Sequence, residues 1–315
     1  ATMNAFDSIL VFGPTASGKT ALAVALAHAF QSEIVSLDSR QFYNGLDIGS
    51  GKDLKEYVFQ NQPIPYHLID VIGLDEEINL SRFAELVNQV KSDLSHKGIN
   101  PILVGGSGFY IEHILQSFEY RLGDNSNAFR AQLESLSDEE LQIRLGANPE
   151  LKPFNRYKAI RRIEDRESTQ EKAQFSPFKP LILGINPPTA VRWNRIQQRL
   201  KQRIAEGMIQ ETEALLQNGI SPERLIRLGL EYKYCTLLLQ GKLNQTEFEE
   251  QLFFEIRRFS KRQMTYFRKL ERDGYSINWL PWSDDSHEMH SFAIQFIKNK
   301  WQDEDMFVPN AKDAE

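Results

Sequence analysis

Three short clusters hold side chains whose types and spacing could do chemistry. The first is Gly13-Pro14-Thr15-Ala16-Ser17-Gly18-Lys19-Thr20. Its Gly13 and Gly18-Lys19-Thr20 satisfy G-x-x-x-x-G-K-[ST], a loop whose backbone amides cradle a phosphate or pyrophosphate. Lys19 would reach the outer phosphates, and the Thr20 hydroxyl would sit on Mg²⁺. The second cluster is Asp38-Ser39-Arg40-Gln41, where Asp38 reads either as a turn cap or as a carboxylate facing the phosphate loop. The third is Gly105-Gly106-Ser107-Gly108, with glycines for close backbone approach and Ser107 as a hydroxyl donor. A plain strand-to-helix turn is its alternative reading. Asp70, after His67-Leu68-Ile69, could organise a metal or simply open a turn, and His67 reads as structural.

These clusters need elements to place them, and the pattern supplies a parallel sheet. Strands are expected at 8–12, 33–37, 66–70 and 101–104, and helices at 19–30, 81–96 and 108–115. Each cluster then follows the carboxyl end of a strand, where ligands bind in open α/β sheets. Residues 116–179 read as a helical insertion, with a capping start at Ser137-Asp138-Glu139-Glu140 and a basic helix over 155–166. Pro180–Ile185 reads as a strand returning to the sheet, and from Pro188 to Arg272 the pattern is helical. The expected class is therefore α/β, a P-loop NTPase-like parallel sheet flanked by helices, with a largely helical C-terminal half. Its core is drawn over 1–115 and 180–280, and the acidic tail 302–315 is expected to be loose.

Composition narrows the partners. The net charge is −6, yet it is unevenly spread. Residues 156–272 hold 23 basic and 14 acidic side chains, a surplus of nine, whereas 1–120 hold 7 and 14. Arg192, Arg195, Arg199 and Arg203 share one helix face by their spacing. The stretch 256–272 interleaves seven basic residues with Phe259, Tyr266 and Phe267, as single-stranded or loop RNA recognition needs. A solvated amphipathic helix, with Phe259 and Phe267 in the core, is the alternative. The single cysteine, Cys235, excludes an intramolecular disulfide and reads as a core thiol. No membrane span, export signal or obligate protein partner is evident, so a cytoplasmic location is expected.

Together these motifs resemble the tRNA dimethylallyltransferase (isopentenyltransferase) family. The resemblance rests on the phosphate loop, on Asp38-Ser39-Arg40-Gln41-Phe42-Tyr43 with Gly45-Leu46-Asp47-Ile48-Gly49, on His67-Leu68-Ile69-Asp70, on Gly105–Tyr110 and on Lys261–Arg268, in the family's order. It implies transfer of a dimethylallyl group from dimethylallyl diphosphate to N6 of the adenosine 3′ to a tRNA anticodon, with Mg²⁺ as cofactor. By the same resemblance Asp38 is the base, and Lys19 and Ser107 place the phosphate and the acceptor. Gly13 to Thr20 and Lys233 hold the diphosphate. Asp38, Ser39, Arg40, Gln41, Ser107, Arg130, Arg161, Arg162, Arg262, Gln263 and Arg268 meet the tRNA anticodon loop. Arg40 and Phe42 replace the family's usual methionine and valine, the insertion is short, and Gly229-Leu230-Glu231-Tyr232-Lys233 departs from a Gly-Tyr-Arg-type motif. The competing expectations are prenyl transfer to free adenine nucleotides, a P-loop small-molecule kinase, and a non-catalytic RNA-binding protein.

Overall fold

A computed structural model describes residues 6–117, 119–121, 127–146, 153–167 and 172–302. In chain order it runs β1 (Ser8–Phe12), α1 (Lys19–Ala29), β2 (Ile34–Ser36), a 3₁₀ turn (Ser39–Phe42), a second 3₁₀ turn (Leu54–Glu56), β3 (Val58–Phe59), β4 (Gln62–Pro63), β5 (Tyr66–His67), α2 (Leu80–His96), β6 (Ile102–Gly105) and α3 (Gly108–Leu115). Then follow β7 (Glu119–Arg121), α4 (Asn127–Glu134), α5 (Asp138–Leu145), α6 (Arg156–Glu167), β8 (Lys172–Gln174) and β9 (Pro180–Gly184). The last part is α7 (Thr189–Glu206), α8 (Met208–Gln217), α9 (Pro222–Arg227), α10 (Leu230–Leu239), α11 (Gln245–Arg272), β10 (Ile277–Trp279) and α12 (Ser286–Gln302).

By its contacts the chain divides into two compact units. One holds the residues up to Glu76, Ser92–Leu115 and those from Phe178 onward; the other holds Glu77–Lys91 and Gln116–Pro177. The first unit is built on a six-stranded parallel sheet in the order β10-β9-β1-β6-β2-β5. β1, Ser-Ile-Leu-Val-Phe, is buried at every position, which is why it lacks the alternation of a half-exposed strand. Leu22 to Ala27 of α1 are likewise all buried, so small and aliphatic side chains are what fit there. The strands expected at 33–37 and 66–70 are shorter, because their C-terminal residues turn away to carry the polar clusters.

α11 spans 28 residues, about 42 Å, and starts with a capping box between Asn244 and Glu247. Its buried stripe, Phe248, Leu252, Ile256, Ser260, Gln263, Met264, Phe267 and Leu270, repeats every three or four residues. Phe267 meets Phe12 of β1 with ring centroids 4.1 Å apart, which ties this helix to the central strand.

The second unit has its own core of Leu133, Leu141, Ile160 and Ile163. α5 opens with the Ser137/Glu140 capping box, and β7 pairs antiparallel with β8, a ribbon that the polar composition did not signal. Most of the acidic tail, residues 303–315, lies outside the described residues. Among the described residues no helix is long and apolar enough to cross a membrane.

Candidate functional site

The turn from β1 into α1 is tight because two residues take left-handed backbone, Ala16 at φ 61° and Gly18 at φ 87°. Gly13 is required by contact: a Cβ there would lie 2.7 Å from the Ile185 carbonyl oxygen. The loop therefore closes on the next strand's end, with its amides at the N-terminus of α1, where the helix dipole favours an anion. The Lys19 Nζ donates to the Pro14 carbonyl at 3.4 Å. Burial, then the nearby Arg199 charge, pushes the Lys19 pKa down to about 8.

Beside this loop lies a cavity of about 610 Å³. Thr15, Lys19, Thr20, Asp38, Arg40, Gln41, Ser107 and Gln263 all line it, so the three clusters of the sequence meet in one place. Asp38 satisfies both of its readings. It caps the 3₁₀ turn, with its Oδ1 accepting the Arg40 N–H at 3.1 Å, and it also faces the cavity. Ser39 and Ser107 line the same wall, and Ser107 directly precedes α3.

Ion pairs hold this wall in place. The Arg40 Nε lies 3.5 Å from Asp38 and its Nη1 donates to Glu231 at 3.0 Å. Glu231 also accepts from Arg203 at 3.3 Å. Burial opposes the Arg40 charge, but the charges of Asp38 and Glu231 outweigh it and raise the Arg40 pKa. Opposite, the Glu211 carboxylate accepts the backbone N–H groups of Asp47, Ile48 and Gly49 at 3.2, 2.8 and 3.1 Å, and the Tyr232 hydroxyl at 2.5 Å. Gly49 has to lack a side chain, since a Cβ would sit 2.7 Å from the Tyr232 ring. Lys52 is buried and pairs with Asp47 and Asp70, so Asp70 anchors this loop by charge. His67 is bound to Glu33 at 2.9 Å, the structural role expected of it.

Several sequence-nominated residues have different surroundings from those expected. Gln263 is buried; its Oε1 accepts the Thr15 N–H and its Nε2 donates to the Gly106 carbonyl, both at 2.9 Å. It braces the phosphate loop against the glycine loop, a contact across 248 residues that no local pattern reveals. The Gln41 amide nitrogen is 3.3 Å from the Ser50 and Gly51 carbonyls. Lys233, expected at the diphosphate, has its ammonium 5.7 Å from the Tyr234 ring centroid and is not among the residues that line the cavity. Because α10 turns Glu231 inward, the cations there come from α7, as Arg199 and Arg203. Their shared helix face was visible in the sequence; its orientation was not. Phe259, expected in the core, is half-buried and lines the cavity, whereas Phe267 is core. Tyr266 is half-buried and donates to Glu112.

In the second unit Arg130 is mostly buried. Its guanidinium meets Glu77 at 2.5 Å, Glu164 at 2.9 Å and Glu134 at 3.3 Å. Arg130, expected at the RNA, is here the hub of three ion pairs, one of them to the buried Glu164. Arg161 lies 5.7 Å from the Tyr157 ring, and Arg162 is exposed, as are Arg262 and Arg268 on α11. Cys235 is buried, which pushes its thiol up to about 12 and makes it a poor nucleophile.

The donor set suits magnesium. Among the described residues no three His, Cys, Asp or Glu side chains form a protein cage. The Thr20 hydroxyl lines the cavity beside the phosphate loop, and magnesium is commonly held by one or two protein oxygens with phosphate and water completing the shell.

Comparison with known proteins bears on this site. The family model described as IPP transferase matches residues 41–270. The chain is 41% identical over 294 residues to a protein named tRNA dimethylallyltransferase 1 from Azobacteroides pseudotrichonymphae, covering 90% of this chain and 95% of that one. It is 42% identical over 286 residues to tRNA dimethylallyltransferase 2 of Phocaeicola vulgatus, covering 88% and 93%. Among solved structures, the full-length tRNA isopentenylpyrophosphate transferase of Bacillus halodurans aligns with a TM-score of 0.68 at 28% identity, over 94% of this chain and 97% of that one.

Proposed function

The chain belongs to the IPP transferase family, and from that premise we propose that it transfers the dimethylallyl group of dimethylallyl diphosphate to N6 of the adenosine 3′ to the anticodon of tRNA, in the cytoplasm. The observation that carries this reading is the single cavity in which a phosphate-binding loop with Lys19 faces the carboxylate of Asp38. A kinase can use both groups as well, and the family to which the chain belongs is what favours N-prenyl transfer.

In this reading the donor diphosphate sits on the loop amides, with Lys19, Arg199 and Arg203 around it. As the allylic C1–O bond breaks, negative charge grows on the departing oxygen, and preorganised cations in a half-enclosed cavity stabilise it. A magnesium ion on Thr20 would add Lewis-acid charge neutralisation on the diphosphate. The adenine N6 attacks C1, the N–C bond forms, and Asp38 takes the proton that N6 loses. Arg40, fixed between Asp38 and Glu231, keeps that carboxylate aimed at the cavity. The adenosine has to leave its stack to reach so enclosed a site. Ser107 and Gln41 stand on the wall it would pass.

Incubation with labelled dimethylallyl diphosphate and Mg²⁺, with tRNA or AMP as acceptor, tests the reading. Label is expected in tRNA alone. Label in AMP alone would make the protein an adenylate prenyltransferase, and label in neither would overturn the transferase assignment.

A further inference from the structure

α7 begins at Thr189 behind Pro188, with no side chain capping its N-terminus. A helix start carries partial positive charge from its free N–H groups. In its first turn stands Arg192, only 7% exposed, and its Nε and Nη1 find no hydrogen-bond partner among the described residues. The charge that acts on it most is another cation, Arg268 of α11; burial and that repulsion both lower the Arg192 pKa. The Trp193 ring lies 5.3 Å from the Arg192 guanidinium and 5.7 Å from the Lys261 ammonium. Lys261 and Arg268 are seven residues apart on α11, two turns along one face. Among the described residues none of the three makes an ion pair, and none lines the phosphate-loop cavity. A fold gains nothing by burying an arginine without partners beside a second arginine at the positive end of a helix. An anion reverses each of those costs at once.

We propose that the N-terminus of α7 with Arg192, Lys261 and Arg268 forms a second anion site, outside the reaction cavity, that holds a backbone phosphodiester of the RNA acceptor. The proposal rests on the reading of tRNA as acceptor and adds where its backbone is held. Trp193 gives the two cations a flat apolar rest on its ring. The site carries no base-reading group, so it sets position and affinity and leaves sequence choice to the cavity.

Arg192→Met removes the charge and keeps the bulk. Relative to wild type, it is expected to raise the melting temperature of the free protein, because an unpaired buried charge is gone. It is also expected to raise KM for tRNA about tenfold, to make the salt dependence of tRNA binding shallower by about one ion, and to leave kcat and the donor KM unchanged. Arg192→Lys should restore most of the salt slope, and Arg268→Gln, at an exposed position, reads the same slope if the methionine variant fails to fold. An unchanged tRNA KM and slope in a wild-type background that prenylates tRNA would overturn the proposal and leave the activity standing. Wild type that labels no tRNA would instead remove the reading beneath it. Inorganic phosphate that stabilises wild type but not Arg192→Met, with tRNA binding unaffected, would mark a free-phosphate site and also overturn it.

Discussion

The helical insertion and the phosphate-loop cavity both concentrate arginine, and they use it in opposite ways. In the insertion, Arg130 pairs with Glu77, Glu134 and Glu164, Arg144 with Glu167, and Arg156 with Asp138. Those guanidinium groups are taken up by carboxylates of the same compact unit. At the cavity, burial first and the Arg199 charge second lower the Lys19 pKa, while Arg40 and Arg203 share a partner, Glu231. A surplus of nine positive charges over 156–272 therefore says little by itself. What separates a structural cation from a binding one is whether an acid is already within reach.

The largest effect is expected at Asp38, the carboxylate proposed as the base. Asp38→Asn keeps the turn cap, since an amide oxygen still accepts the Arg40 N–H, but it removes the proton acceptor. Turnover should fall by about 10³ in steady-state prenyl transfer, while donor affinity measured by calorimetry changes little. Turnover within a few-fold of wild type would assign Asp38 to the cap alone.

Next comes the unpaired cation. Arg199→Ala should lower kcat/KM for the donor by about a hundredfold, the scale of losing one stabilising group for a developing oxyanion. It should also move a pH limit. Lys19 is held down to about 8 by burial first and by Arg199 second. Below that pH the free protein carries the Lys19 charge that the diphosphate needs; above it the charge is lost and donor affinity falls by up to tenfold per pH unit. Removing Arg199 removes one of the depressing causes, so the alkaline limb of the donor KM profile should shift upward. A limb that stays in place would mean that another group titrates there.

Arg130→Met turns the comparison round. It removes the Arg130 ion pairs to Glu77, Glu134 and Glu164, and breaking a buried pair this way costs about 3–5 kcal/mol. A lower melting temperature is the expected readout, larger than for any exposed arginine. If the variant melted like wild type yet lost tRNA binding, Arg130 would belong with the RNA-contacting cations after all.

Much of this was legible from residue order, and the physical reason is locality. The phosphate loop, the turn after β2 and the glycine loop before α3 are each short, so their residue types report their own backbone. The parallel sheet followed from runs such as Ser8–Phe12 that are buried on both faces. What stayed hidden is every partnership made across the chain. Nothing near Gln263 reveals that it braces Thr15 and Gly106, and nothing near Glu211 reveals that it takes three amides of the 47–49 loop. Lys233 was expected at the diphosphate from its place in a Gly-Tyr-Arg-type motif, and nothing local to it reveals that Glu231 of α10, rather than Lys233, lines the cavity. Charge pairing is a property of the folded surface, and composition averages it away.

The smallest expected effect tests the exposed end of the same argument. Arg262 is exposed next to the buried Gln263, and no ion pair holds it among the described residues. Arg262→Ala should leave the melting temperature within about 0.5 kcal/mol of wild type in stability terms, because a solvated charge contributes little to folding. If α11 tracks RNA backbone there, tRNA affinity should weaken modestly and equally across tRNA sequences, and the salt slope should fall by about one ion. An unchanged slope would place Arg262 among solvated helix charges. The α11 cations that count for RNA would then be those beside the unpartnered Arg192, Lys261 and Arg268.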